Sequence, residues 1–210
     1  MSLERLAAGL LAPGVVEDAG VVADAPFPGL PPRGRPAAVL ALFSTGPDPE
    51  LLFTERAATL RRHAGQVSFP GGRLEAADPT AEDAALREAA EEVGLDPRGV
   101  DVLGRLPGTR LSRAFNTTVV VGAWSGEQPL QADPGEVAQV LRYPLERLES
   151  SEVRVMTPTS RGQGPAFVLD DIVIWGFTAH LTDRLLELGG WARPWDRTRV
   201  VTIPERFLRD

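Results

Sequence analysis

Between Gly71 and Leu95 the chain runs from a pair of glycines into Leu86-Arg87-Glu88-Ala89-Ala90-Glu91-Glu92-Val93-Gly94-Leu95. This second part constrains the fold most. Leu86, Ala89, Ala90 and Val93 recur at i, i+3, i+4 and i+7, the stripe of a core-facing helix. Asp78-Pro79-Thr80 offers cap-type side chains and a proline suited to a first turn, and Gly94 is a natural stop. Glu88, Glu91 and Glu92 fall nearly opposite the stripe at i, i+3 and i+4, where Cβ atoms lie roughly 5–6 Å apart. Like charges so spaced oppose helix formation by about 0.2–0.5 kcal/mol per pair. A hard divalent cation held by carboxylate oxygens offsets that repulsion. A merely solvated acidic face is the alternative.

The spacing resembles the box of the Nudix hydrolases, G-x5-E-x7-R-E-U-x-E-E-x-G-U with U a bulky apolar residue. Gly72, Arg87, Glu88, Glu91, Glu92, Gly94 and Leu95 fall on it. The carboxylate six residues after Gly72 is Asp78 in place of Glu, its gap to Arg87 is one residue longer, and Ala89 is small for its position. Immediately upstream, Leu52-Phe53-Thr54-Glu55-Arg56-Ala57, Arg61, Gly65 and Phe69-Pro70-Gly71-Gly72 resemble L-L-T-x-R-[SA]-x3-R-x3-G-x3-F-P-G-G, the signature of the coenzyme A pyrophosphatase branch. Phe53 alone departs. Ile174-Trp175-Gly176-Phe177-Thr178-Ala179 is similar to the stretch that opens the last long helix in that branch. The two main motifs cover residues 52–95.

At 210 residues, 43% of them hydrophobic, the chain suffices for one sizeable domain. The expected organisation is a single domain over 1–210, with 1–35 as an N-terminal helix and loop. A net charge of −7 argues against nucleic acid as the main partner. All 22 basic residues are arginines, which excludes lysine Schiff-base chemistry and favours planar, bidentate phosphate contacts. With no cysteine there is no disulfide, thiolate nucleophile or cysteine-bound zinc. No apolar run approaches the roughly 20 residues of a membrane span, and the first residues lack the basic-then-apolar order of a secretory signal. A cytoplasmic protein, monomer or homodimer, is the expectation.

Residues 2–12 read as an amphipathic helix with Leu3, Leu6 and Leu10 on one side, and 13–36 as a Gly- and Pro-rich surface loop. The continuous apolar run 37–44 reads as a buried strand, with 50–55 as its partner. Residues 100–106, 117–124, 137–143, 153–156, 166–169 and 172–175 are further strand candidates. Residues 144–151 suggest a helical turn, and 178–188 an amphipathic helix stopped by Gly189-Gly190. Strands with intervening helices define an α/β layered domain. The resemblance implies the Nudix fold, a mixed β-sheet sandwiched between α-helices.

What the resemblance implies chemically is metal-dependent cleavage of a pyrophosphate, with Mg²⁺ or Mn²⁺ as cofactor and CoA or acyl-CoA as substrate. Metal neutralises phosphate oxygens and acidifies a bound water, and a carboxylate takes the proton. Glu88 and Glu92 are the expected primary ligands, with Glu91 as a third ligand or as orienter of the water. Arg87 is expected to orient the glutamates. Glu88 is the expected general base, with Asp78 and Glu75 as alternatives. Gly71 and Gly72 allow backbone to approach a phosphate. Arg56 and Arg61 are expected at phosphates, with CoA's 3′-phosphate the distinguishing one. Arg62 reads as surface, His63 as structural or functional, His180 as packing, and Trp175 as core or channel lining. ADP-ribose cleavage and a catalytically silent nucleotide-binding module are the alternatives.

Overall fold

The computed structural model describes residues 2–11, 35–112, 115–159 and 162–208. Its spine is the apolar run after Pro36. Strand β1 (Arg35–Ser44) is almost wholly buried, which explains why no polar residue interrupts it. β2 (Glu50–Arg56), β3 (Val67–Ser68), β4 (Gly71–Arg73), β5 (Val100–Ser112), β6 (Phe115–Trp124) and β7 (Val137–Pro144) complete a seven-stranded mixed sheet. β1 runs parallel to β6 along its whole length, and β5 pairs antiparallel outside β6. The other edge of β1 forks. Ala37, Ala38 and Val39 pair with β4, while Phe43 pairs with Leu51 of β2. β2 in turn carries β3 on the forked side and β7 on the far side.

Alternation along β1 sends side chains to two cores. Ala38, Leu40 and Leu42 face the helix of the acidic motif, α2 (Ala81–Val93), packing with Ala84, Ala85, Ala89 and Val93. Ala41 and Phe43 face the opposite layer, which holds Leu6 and Leu10 on one helix and Leu181, Leu185 and Leu186 on another. Among the described residues the α-helices are α1 (Leu3–Leu11), α2 (Ala81–Val93), the short α3 (Leu145–Glu149) and α4 (Gly176–Gly189). The sheet is thus sandwiched between helices, the α/β Nudix fold expected from the sequence. Each fully buried Leu, Val or Phe stabilises by about 1.5–3 kcal/mol.

A second, antiparallel sheet of β8 (Arg154–Thr159), β9 (Gly162–Leu169) and β10 (Ile172–Ile174) packs beside the first. The chain after α4 returns to it, bridging Val200 to Met156. Among the described residues no helix is long and apolar enough to cross a membrane.

The differences from expectation are local. Two short strands lie outside those expected from the sequence, β3 and β4, the second of them containing Gly71 and Gly72. β8 and β9 form a longer hairpin than the apolar residues alone mark, because backbone pairing continues through Pro158 and Gln163. Trp175 caps α4 and does not end a strand. The 13–36 loop falls almost wholly outside the described residues.

Candidate active site

The site is built where α2 crosses β4. The helix starts at Thr80, whose hydroxyl accepts the Asp83 N–H at 3.2 Å, and stops at Gly94 in the left-handed region with φ 68°. Pro79 therefore precedes the cap instead of occupying the first turn. The buried line of α2 runs through Ala81, Ala84, Ala85, Ala89, Glu92 and Val93, with Leu86 and Ala90 only half-buried. The helix is thus rotated relative to the stripe read from its apolar residues. Small alanines on the sheet side let it lie close to β1 and β4, and that rotation turns Glu92 inward.

The three glutamates consequently part company. Glu92 is 4% exposed and accepts the Gly71 N–H through Oε2 at 3.2 Å. Burial, with Glu88 and Glu136 as negative neighbours, pushes its carboxyl up to about 8, against the Gly71 N–H and the Arg56 charge. Glu88 is half-buried and its carboxyl is likewise raised, chiefly by burial. It lies directly over Gly72: a Cβ there would stand 2.5 Å from Glu88 Oε2. Glu91, with its side chain 60% exposed, turns away to Arg87, Oε2 to Nη1 at 3.0 Å. The structure brings Glu88 and Glu92 together over the glycine strand and places Glu91 on the flank.

Arg87 is the hub between them. Its Nε and Nη2 grip the two Asp78 oxygens at 3.0 Å each, and Nη2 also donates to the Arg73 carbonyl at 3.0 Å and to Glu88 Oε1 at 3.1 Å. Hydrogen bonding from Arg87, helped by the Glu75 N–H, holds Asp78 below the ordinary carboxylate range. Asp78 is thus committed on both oxygens, and its side chain is only 5% exposed. It braces the loop before α2 against the helix. Glu75 is exposed and contributes its backbone N–H to Asp78.

Sequence reading missed Glu136. It sits just before β7, where its carbonyl accepts the Ala57 N–H at 2.8 Å, and its charge acts on both Glu88 and Glu92. No motif spacing marks it, because it reaches the site only through the pairing of β7 with β2.

Between β2 and β3 the chain forms a loop closed at its base. Arg56 N–H donates to the Gln66 carbonyl and Gly65 N–H to the Arg56 carbonyl, both at 3.0 Å. Arg61, Arg62 and His63 are exposed on this loop. His63 takes φ 57°, and its Nδ1 lies 3.1 Å from Gln66 Oε1. The Thr178 hydroxyl donates to the Val67 carbonyl at 3.0 Å, fastening the start of α4 beside β3. Trp175 packs half-buried against the second sheet's core. His180 bonds through Nδ1 to the Gly176 carbonyl at 2.8 Å, within its own helix.

Among the described residues no three His, Cys, Asp or Glu side chains are already gathered to hold a metal ion. The donor chemistry nonetheless fits a hard cation. Glu88 and Glu92, whose protonation is favoured by burial and by the charge of neighbouring glutamates, are oxygen donors that a divalent ion would hold ionised.

An α/β sandwich with an acidic helix laid over a glycine strand defines the class, and comparison with known proteins agrees. The family profile of the NUDIX domain matches residues 34–161. The chain is 42% identical over 160 residues to NudL of Cronobacter sakazakii, described as an uncharacterised Nudix hydrolase, covering 74% of this chain and 83% of that one. It is 39% identical, with the same coverage, to NudL of Salmonella newport. Among solved structures it resembles the Nudix hydrolase RenU of M. smegmatis with a TM-score of 0.51 and 19% identity, over 79% of this chain and 91% of that one. The chain belongs to the Nudix hydrolases.

Proposed function

We propose that this chain hydrolyses the pyrophosphate bond of coenzyme A or its thioesters, releasing 3′,5′-ADP and (acyl) 4′-phosphopantetheine. The observation that carries the reading is the closed loop after β2. It hangs beside the acidic centre and presents Arg61 and Arg62 to solvent, while Arg56 at its base acts on Glu92. A substrate carrying a diphosphate and one further phosphate matches that distribution of charge.

Nudix hydrolases generally use divalent ions such as Mg²⁺ or Mn²⁺. Glu88 and Glu92 would hold the ion, with Glu91 joining once released from Arg87 and Glu136 close by. When bound, the ion supplies charge neutralisation at the phosphate oxygens and a more acidic water. The residues do the rest. Arg87, anchored by Asp78, sets the position of Glu88. Gly71 and Gly72 keep the floor of the site free of side chains, so the diphosphate lies against backbone. Glu88, the exposed edge of the pair, accepts the proton of the attacking water. The water oxygen bonds to one phosphorus as the bridging P–O bond breaks, and the bridging oxygen leaves with the electron pair as a phosphate.

The test is incubation with CoA, 3′-dephospho-CoA and ADP-ribose in Mg²⁺ or Mn²⁺ and separation of the products. CoA should be cleaved with the higher kcat/KM. Preference for ADP-ribose would replace the substrate assignment, and cleavage of none, with nucleotide binding retained, would make the chain a silent module.

A further inference from the structure

We infer that the cleft between α3 and the chain after α4 is a second anion site, built for a phosphate that can itself donate a hydrogen bond. It stands apart from the acidic centre. Pro144, the last residue of β7, lines the cleft, whereas Glu136 immediately precedes that strand's first residue. At about 3.3 Å per residue, the length of β7 sets the two roughly 25 Å apart.

The cleft has a volume of about 460 Å³, within the range of small-molecule sites. Glu146 and Arg147 of α3 and Ser150 and Ser151 of the turn after it form one part of its lining. Arg193 and Pro194 of the returning chain form the other. Arg193 is exposed, yet two buried charged residues hold it. Glu149, 3% exposed, meets Arg193 Nη2 through Oε1 at 2.5 Å. Arg154, 2% exposed, donates from Nη1 to the Arg193 carbonyl at 3.4 Å. Arg154 is fixed in turn by its ion pair with Asp183 on α4 and by the Trp195 ring, whose centroid lies 4.7 Å from its guanidinium carbon. Burying Glu149 and Arg154 carries a desolvation cost that pairing only partly offsets. What the arrangement secures is one position for a guanidinium at the cleft wall. A merely solvated surface arginine needs no such support.

Arg147 is the second cation of the cleft, with Nη2 donating to Asp170 Oδ1 at 3.1 Å. A guanidinium carries five N–H donors, so one ion pair leaves each arginine with donors for a ligand. Ser150 Oγ accepts the Glu152 N–H at 3.3 Å, and its own proton remains to be donated. Ser151 adds a second hydroxyl. Glu149 and Asp170 offset the two positive charges, so an anion is held here by directed hydrogen bonds and not by a long-range field.

The Glu146 carboxylate narrows the ligand class. It repels an anion that offers it no proton and accepts a hydrogen bond from one that does. Phosphate near neutral pH keeps an O–H, whereas sulfate has none. The ligand is therefore phosphate with a donor to spare, free or as the monoester of a carrier bearing a hydroxyl beside it.

The experiment titrates inorganic phosphate, AMP and sulfate into the metal-free, ¹⁵N-labelled full chain at pH 7 and follows the backbone amides. Inorganic phosphate should shift Ser150, Ser151 and Arg193 along one saturable curve, separate from any change at Gly71 and Gly72. Arg147→Gln should weaken that binding about tenfold or more, and it should fold, because its partner Asp170 is exposed. Arg193→Lys keeps a charge opposite Glu149 but loses the planar fork, and should weaken binding by a similar factor. Sulfate should bind about tenfold or more weakly than phosphate, and Glu146→Gln should narrow that gap. AMP moving the same amides would support the site with a monoester as its occupant; a response to inorganic phosphate alone would support it with free phosphate. No saturable shift at Ser151 and Arg193, unaltered binding in Arg147→Gln, or sulfate binding as tightly as phosphate would overturn the inference.

Discussion

Adding one methyl group to either of two adjacent glycines should damage this protein in opposite ways. Gly71 has φ 154°, in the range L-residues avoid, and a Cβ there would stand 2.6 Å from the Val39 Cα. The obstruction is backbone in the middle of the sheet, so it cannot rotate aside. Backbone strain of about 1–3 kcal/mol adds to overpacking of similar size, giving a loss on the order of 3–5 kcal/mol for Gly71→Ala. At about 2–4 °C per kcal/mol for a chain of this size, Tm should fall by roughly 6–20 °C. The nearest atoms that Gly72→Ala would meet belong to the far end of Glu88, with Oε2 2.5 Å from the new carbon. That side chain can swing away at about 0.5–1.5 kcal/mol. Tm should then fall by only a few degrees, about 1–6 °C. Turnover should nevertheless drop on the order of 10²-fold, since Glu88 has been moved from its place. Thermal unfolding beside a hydrolysis assay separates the two. Gly72→Ala retaining full turnover, or losing as much stability as Gly71→Ala, would refute the placement of Glu88.

Glu92→Gln should abolish most turnover and also flatten a pH dependence of folding. With its carboxyl raised from 4.5 to about 8, the folded state holds a proton that the unfolded state releases. This contribution is full below pH 4.5 and disappears as pH rises through 8. It amounts to on the order of 5 kcal/mol, visible as a steeper fall of metal-free stability from pH 5 to 8 in wild type than in the variant. Glu136→Gln, at an exposed position, should leave Tm within about 2 °C yet weaken Mn²⁺ binding measured by electron paramagnetic resonance; unchanged affinity would remove Glu136 from the site. Asp78→Asn should free Arg87 and lower kcat by about tenfold with little change in KM, and a change confined to KM would refute its bracing role.

How much of this was legible depends on whether the relevant contact is local. The helix of Glu88 and its caps could be read because Thr80, Gly94 and the alanines between them act within a few turns. The buried strand β1 could be read because both its faces are apolar. The parting of Glu91 from Glu92 could not, since helical spacing gives the order of side chains around an axis but not the axis's rotation against the sheet. Glu136 was illegible for a related reason. It is brought in by β7 pairing with β2, a contact across some eighty residues that leaves no periodic trace. Gly71 and Gly72 were recognised as special. Their role as a strand beneath two carboxylates follows from the fork in β1's edge, which is a property of the assembled sheet.

That fork separates two inheritances. The acidic helix and its glycine strand hang from the first half of β1, whereas the loop bearing Arg61 and Arg62 hangs from β2, and the two meet where Arg56 faces Glu92. The loop is carried by the β2–β3 pairing and the acidic helix by β4 against β1, so a change of length in the loop leaves the strand beneath that helix in place.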